Sequence, residues 1–210
     1  MFKDRTEAGL LLAAKLRKYK NTQGIVLAVP RGGVPVAYMV AKELGFPLEV
    51  ILIKKIGHPH NKEYAIGAAS LTDYFIVPHE NVPEAYIQEE VGRVHSRLQQ
   101  MHDLYMGERK PESIEGKTVI VVDDGIATGN TMLATIQVLQ KSRPAKIVIA
   151  VPVSSKSALQ KLSREVDEVI SVLIPEHFFG IGEFYKDFEQ LNDEKVIYYL
   201  DQLRKIKHGG

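Results

Sequence analysis

Residues 119–132 read VIVVDDGIATGNTM. Val119, Ile120, Val121 and Val122 are a short β-branched apolar run, which suits a strand buried on both faces. The run stops at two carboxylates, Asp123 and Asp124. Gly125, Ile126 and Ala127 lead into a small polar turn, Thr128-Gly129-Asn130-Thr131. Apolar Met132, Leu133, Ile136 and Leu139 then recur at intervals of three and four, predicting a helix. The order is strand, acidic pair, tight turn, helix.

That order carries specific chemistry. A turn entering a helix presents backbone N–H groups that favour an anion. Gly129 permits close approach of the backbone, and Thr128 and Thr131 add hydroxyl donors. Asp123 and Asp124 would repel a bare phosphate but accept hydrogen bonds or bind a hard cation. A phosphate at one end of a ligand and neighbouring hydroxyls at the other, with or without Mg²⁺, satisfies both halves; a ribose 5-phosphate has that form. This requires the acid doublet to face the open edge of the sheet. The competing reading is an ordinary strand–helix turn whose acids cap the helix. The stretch lacks the Gly-Lys-Ser/Thr of a Walker loop and the GxGxxG of a dinucleotide site.

Outward from this centre the design repeats. Asp4 to Lys18 is an amphipathic helix with Ala8, Leu11, Leu12 and Leu16 on one face. Ile25 to Val29 is an apolar strand running into Pro30-Arg31-Gly32-Gly33 and a helix from Val34 to Leu44. Adjacent glycines can cradle an anion, and Arg31 suits bidentate phosphate contact; a plain turn with a surface Arg is the alternative. Leu48 to Ile53 predicts a strand ending at Lys54-Lys55, where either lysine could reach a phosphate. The polar excursion at 56–66, which contains His58, His60 and Lys62, is placed where a covering loop would lie. Asp73 to Val77 reads as a short hairpin partner. Pro83 to Met106 is a long helix whose Glu89, Glu90, Arg93 and Arg97 form a solvated face. Strands at Ala145 to Val151 and Asp167 to Leu173 complete the core. Strands alternating with helices indicate an α/β fold with a doubly wound, mainly parallel sheet. Ligands of such sheets bind beyond the carboxyl ends of strands, where Arg31-Gly32-Gly33, Lys54-Lys55 and Asp123 to Thr131 would gather. Residues 1–173 form this core and 174–210 a separate segment with a terminal helix, rich in Phe178, Phe179, Phe184, Tyr185 and Phe188.

VVDDGIATGNT resembles the phosphoribosyl-pyrophosphate motif of type I phosphoribosyltransferases, and PRGG resembles their pyrophosphate loop. VPRGG, KKIGHP, AIGA, AVPV and FYKDF extend the likeness over nearly the whole chain, to a bacterial set with no established acceptor. The resemblance implies transfer of the 5-phosphoribosyl group from phosphoribosyl pyrophosphate to a nitrogen acceptor. Asp123 and Asp124 would hold the ribose hydroxyls, directly or through Mg²⁺, and Thr128 to Thr131 the 5′-phosphate, with Gly125, Ile126 and Ala127 also binding the donor. Arg31, Gly32 and Gly33, with Lys54 or Lys55, would receive pyrophosphate, and the Pro30–Arg31 peptide would be cis. Loop 56–66 would close over the site, and residues 174–210 would supply a hood in which Phe178 or Phe179 stacks on the acceptor base. A homodimer is implied as well. Ala127 departs from the Asp that enzymes for 6-oxopurines carry at this position, which disfavours hypoxanthine and guanine.

Composition sets the outer bounds. The chain has 210 residues, 45% hydrophobic and 25% charged, with a net charge of +1. That is ordinary for one globular α/β domain and gives no bulk attraction to nucleic acid or to a membrane surface. There is no Cys, so disulfides and thiolate chemistry are excluded. With no apolar run of membrane-spanning length and no signal-peptide core, a cytoplasmic protein is expected. Two other functions fit the same motifs: a regulator that binds phosphoribosyl pyrophosphate without turnover, and C1′ hydrolysis or phosphorolysis. If the acid doublet is the centre, Asp124→Asn lowers the rate of pyrophosphate release far more than His60→Ala. Equal losses would place the centre elsewhere.

Overall fold

The computed structural model describes residues 1–77, 82–107 and 109–208. In chain order the elements are α1 (Arg5–Leu16), β1 (Gly24–Ala28), α2 (Gly33–Leu44), β2 (Leu48–Val50), β3 (Lys54–His58), β4 (Asn61–Ala69), β5 (Tyr74–Ile76), α3 (Glu84–Met106), β6 (Thr118–Val122), α4 (Asn130–Lys141), β7 (Lys146–Val153), α5 (Lys156–Leu162), β8 (Glu168–Leu173) and α6 (Asp193–His208).

Five strands form one parallel sheet in the order β2-β1-β6-β7-β8. The chain winds outward from β1 to β2, then returns to β6 and winds the other way. The reversal falls between β1 and β6, which run in register from Gly24↔Thr118 to Ala28↔Val122. A crevice opens at the carboxyl ends of strands where the order reverses. Both faces are covered, as a doubly wound sheet requires. Val26, Ala28, Ile120 and Val122 pack with residues of α1, α2, α3 and α6. Ile25, Leu27, Val119 and Val121, one residue out of phase, pack with residues of α4 and α5. This alternation explains why the strands read as unbroken apolar runs.

Three expectations from the sequence need correction. The second strand ends at Val50, and Lys54-Lys55 opens a new strand in a separate antiparallel sheet, β3-β4-β5. The expected covering loop at 56–66 is therefore largely a hairpin of β3 and β4, whose Ile56 and Ile66 are fully buried in the main core. Its polar residues disguised it, because only one face of the small sheet is covered. On α1, Leu11 is exposed, while Ala8, Leu12, Ala13 and Leu16 face inward.

The N-terminus is tied to the hood. Phe2 N–H donates to the Phe184 carbonyl at 2.7 Å, and the Lys186 N–H donates to the Phe2 carbonyl at 2.9 Å. From there α6 returns Val196, Leu200 and Leu203 to the core shared with α2 and α3. Because Ile66 is built into that core, Ile66→Ala should lower global stability by about 2–5 kcal/mol. Urea unfolding should show one cooperative transition shifted as a whole; an unshifted midpoint would mean that the hairpin is not part of the core.

Candidate functional site

The two turns at the crevice touch. A Cβ on Gly33 would lie 2.6 Å from the Val122 carbonyl oxygen and 2.8 Å from the Asp123 Cα. On Gly32 it would lie 2.1 Å from Asp124 Oδ2. The glycine pair after β1 is therefore set by packing against the acid pair after β6. The Pro30–Arg31 peptide in the turn after β1 is cis, as the resemblance implies.

The two acids diverge. Successive side chains at a strand end point to opposite faces. Asp123 follows Val121 toward the α4 side, where it lines a cavity of about 220 Å³ with residues 125–132, Val29, Thr135 and Ile181. Asp124 follows Val122 toward α1 and α2 and is buried. Its Oδ2 accepts from Arg5 Nε at 2.9 Å, and its backbone carbonyl accepts from the Tyr185 hydroxyl at 2.6 Å. Arg5 lies over the Phe188 ring, 3.9 Å from its centroid, and donates from Nη1 to the Glu189 carbonyl at 2.9 Å. The doublet does not face the open edge as a unit: Asp123 does, and Asp124 supports the turn from behind.

Electrostatics follow from this burial. Asp123 is pushed well above the usual carboxylate range, first by burial and then by the charge of Asp124. Its Oδ1 accepts the Asp124 N–H at 2.8 Å. Burial also raises Asp124, and the Arg5 guanidinium opposes that shift.

The turn at 128–131 is built as its sequence demands. Gly129 has φ +74°, a left-handed conformation that glycine adopts without strain, and it caps α4. Thr128, Asn130 and Thr131 are exposed beside it. The end of β7 braces the turn: Ile126 N–H donates to the Val153 carbonyl at 2.9 Å, and Ser155 Oγ donates to the Ala127 carbonyl at 2.6 Å. Lys161 Nζ donates to Asn130 Oδ1 at 2.6 Å, adding a cation at the anion-favouring end.

Other predicted residues are placed differently. Arg31 is exposed; its Nε donates to Asp193 Oδ1 at 2.9 Å, and the Tyr105 hydroxyl donates to the same carboxylate. Lys54 and Lys55 line a different cleft, which shares no lining residue with the Asp123 cavity. Phe178 packs on Phe184 with centroids 5.4 Å apart, and Phe179 is 84% exposed; neither lines the Asp123 cavity. The hood residue that does is Ile181, whose Cγ2 would lie 2.7 Å from a Cβ on Gly125. Sequence reasoning missed Arg5, Ser155, Lys161, Ile181 and Asp193. Only Ser155 carried a signal, as a Ser at a helix start, where its side chain accepts the Ala158 N–H.

Among the described residues no cluster of three or more His, Cys, Asp or Glu could hold a metal. Asp123 is the one carboxylate among the residues lining the turn's cavity. A single hard oxygen donor of this kind suits Mg²⁺ whose other ligands are substrate phosphates and water.

Comparisons with known proteins bear on the family and the fold. The family model described as "Phosphoribosyl transferase domain" matches residues 6–189. A Mycobacterium tuberculosis protein provisionally named a phosphoribosyl transferase is 33% identical over 210 residues, 98% of this chain but 47% of its own length. The chain thus spans about half the length of the curated relatives it matches. The crystal structure of TT1426 from Thermus thermophilus is 36% identical, with a TM-score of 0.85, covering 96% of this chain and 98% of that one. A purine phosphoribosyltransferase from Pyrococcus horikoshii, 20% identical with a TM-score of 0.50 over 90% of this chain and 92% of its own, shares the fold. No helix among the described residues is long and apolar enough to cross a membrane.

Removing Arg5 leaves the buried Asp124 without its counter-charge, an error that costs about 3–5 kcal/mol in buried pairs. Arg5→Gln should therefore unfold at lower urea at pH 8. Because burial raises the folded pKa of Asp124, the cost of its charge is absent below the usual carboxylate range and is incurred as pH rises through the folded value. The deficit should shrink on acidification; a pH-independent deficit would mean that only the packing of Arg5 on Phe188 was lost.

Proposed function

The chain belongs to the phosphoribosyl transferase domain family, and from that membership we infer that it transfers the 5-phosphoribosyl group of phosphoribosyl pyrophosphate to a nitrogen acceptor. The acceptor's lone pair forms the bond to C1′, and the bond from C1′ to pyrophosphate breaks with its electron pair leaving on oxygen. The observation that carries this reading is that Asp123 and the Gly129 turn line one cavity at the strand-order reversal, with the Arg31 loop packed against it.

Each residue then has a role in binding or orientation. Thr128 to Thr131 hold the 5′-phosphate at the start of α4, with Lys161 alongside. Asp123 accepts from the ribose hydroxyls and would be the residue that holds Mg²⁺, directly or through water. Mg²⁺, when bound, would neutralise charge on the departing pyrophosphate. Asp124 keeps the two turns in contact. Arg31 receives the pyrophosphate in place of Asp193. That exchange costs little, because the ion pair is exposed, with 47% and 37% of the two side chains accessible, and exposed pairs are held weakly. Catalysis in this reading is positioning and charge neutralisation.

The acceptor lies between Ala127 and the hood, against Ile181. Ala127 has no group that can exchange a proton with a 6-oxopurine, so the acceptor is a base of another kind or a non-base amine. Phosphoribosyl pyrophosphate, Mg²⁺ and a panel of bases, followed for pyrophosphate release, test this. Release that requires one base other than hypoxanthine or guanine is expected. Asp123→Ala should slow it by about 10²–10³-fold, as removal of one preorganised electrostatic group does. Release without any base would show hydrolysis, and binding without release would show a regulator; either result overturns the transferase reading.

A further inference from the structure

A cleft of about 720 Å³ lies between the β3–β4 hairpin and α3, lined among others by Lys54, Lys62, Tyr86, Glu90, Arg93 and Arg97. It is a built feature. The Tyr86 hydroxyl donates to the Gly57 carbonyl at 2.6 Å and accepts from Lys62 Nζ at 2.6 Å, pinning the hairpin to the helix. Arg93 and Arg97 are four residues apart on α3 and share one face.

The sequence pattern placed Glu90 on a solvated face, but it is only 7% exposed. Arg93 binds both of its oxygens, with Nε at 3.0 Å, and Lys62 Nζ lies at 3.5 Å. The buried acid is thus already taken. Lys54 and Arg97 have no acidic partner among the described residues. Glu89 also lines the cleft, at an exposed position. Among the described residues of this lining, Lys54, Lys62, Arg93 and Arg97 stand with two acids, Glu89 and Glu90. The Lys54 ammonium is pulled below the usual lysine range by burial, then by Arg97 and Arg93. Like charges held together by the scaffold are a cost that a bound anion relieves.

We propose that this cleft is an anion site, separate from the Asp123 cavity, for a phosphorylated small molecule carrying two or more negative charges. Its ligand bridges two elements, Lys54 and Lys62 on the hairpin and Arg97 on α3. A small molecule fits better than a nucleic-acid backbone, because the site is concave, Glu89 stands among its lining residues and the chain's net charge is only +1. The volume is within the range of small-molecule pockets, about 300–1,000 Å³. The proposal does not depend on the transferase reading.

Calorimetric titration of the full chain with inorganic pyrophosphate tests it, using wild type, Arg97→Gln and Arg31→Gln. Arg97 is exposed, so its replacement leaves the fold intact. Two equivalents are expected in wild type, one weakened more than tenfold by Arg97→Gln and the other by Arg31→Gln. Arg97→Lys should restore most of the first. A single equivalent lost in Arg97→Gln would also support the cleft, while counting against the donor site. Binding that Arg97→Gln leaves unchanged would overturn the proposal.

Discussion

The site depends on one contact: the glycine pair after β1 pressed against the acid pair after β6. Parallel pairing of Ala28 with Val122 brings the ends of the two strands side by side. The residues that follow must then share very little space. Any side chain at position 33 would strike the Val122 carbonyl, and any at position 32 would strike the Asp124 carboxylate. A loop that carries a cation, Arg31, is thereby locked to a loop that carries an acid and an anion-favouring turn. The spacing between them is fixed by backbone contact, which does not yield as side chains do.

Holding a carboxylate at such a contact has an electrostatic cost, and both ends of the chain supply what offsets it. Arg5 opens α1 and reaches Asp124. Phe188 from the hood lies under the guanidinium, and Tyr185 bonds the Asp124 backbone. Phe2 and Tyr185 join the N-terminus to the hood as a short parallel bridge. The hood is therefore coupled to the acid turn from below through Arg5 and Tyr185, and from above through Ile181 on Gly125. A buried carboxylate beside a half-buried one, both with raised proton affinity, is a poor choice for stability alone. Their presence at a crevice is the pattern expected where stability is given up for binding.

Legibility in the sequence followed the range of the interactions. The strands at 119–122 and 24–28 were readable because a buried parallel strand must be apolar throughout. The helix after Gly129 was readable because its period is local. The Gly129 turn, the Arg31 loop and the cis bond at Pro30–Arg31 were accessible through a motif that spans only a few residues. What stayed hidden lies far apart in the chain. Arg5 and Asp124 are 119 residues apart, and Arg31 and Asp193 are 162 apart. Neither Ile181 nor the burial of Glu90 leaves a local trace. The strands of the β3–β4 hairpin are not legible in the sequence because their polar residues conceal Ile56 and Ile66.

The acid doublet shows why a motif is not a geometry. Read as letters, Asp123-Asp124 is a unit with one job. Read as the end of an extended strand, it must split, because neighbouring side chains leave on opposite faces. The residues before it already declare the split: Val121 belongs to the cluster under α4, Val122 to the cluster under α1 and α2. Continuing that alternation sends Asp123 to the cavity and Asp124 to Arg5. In the proposed reading, the strand's own phase thus divides the work between an acid that would meet the ligand and an acid that holds the turns together. Reversing the order of exposure would require a bulge, and β6 runs from Thr118 to Val122 in unbroken register with both neighbours.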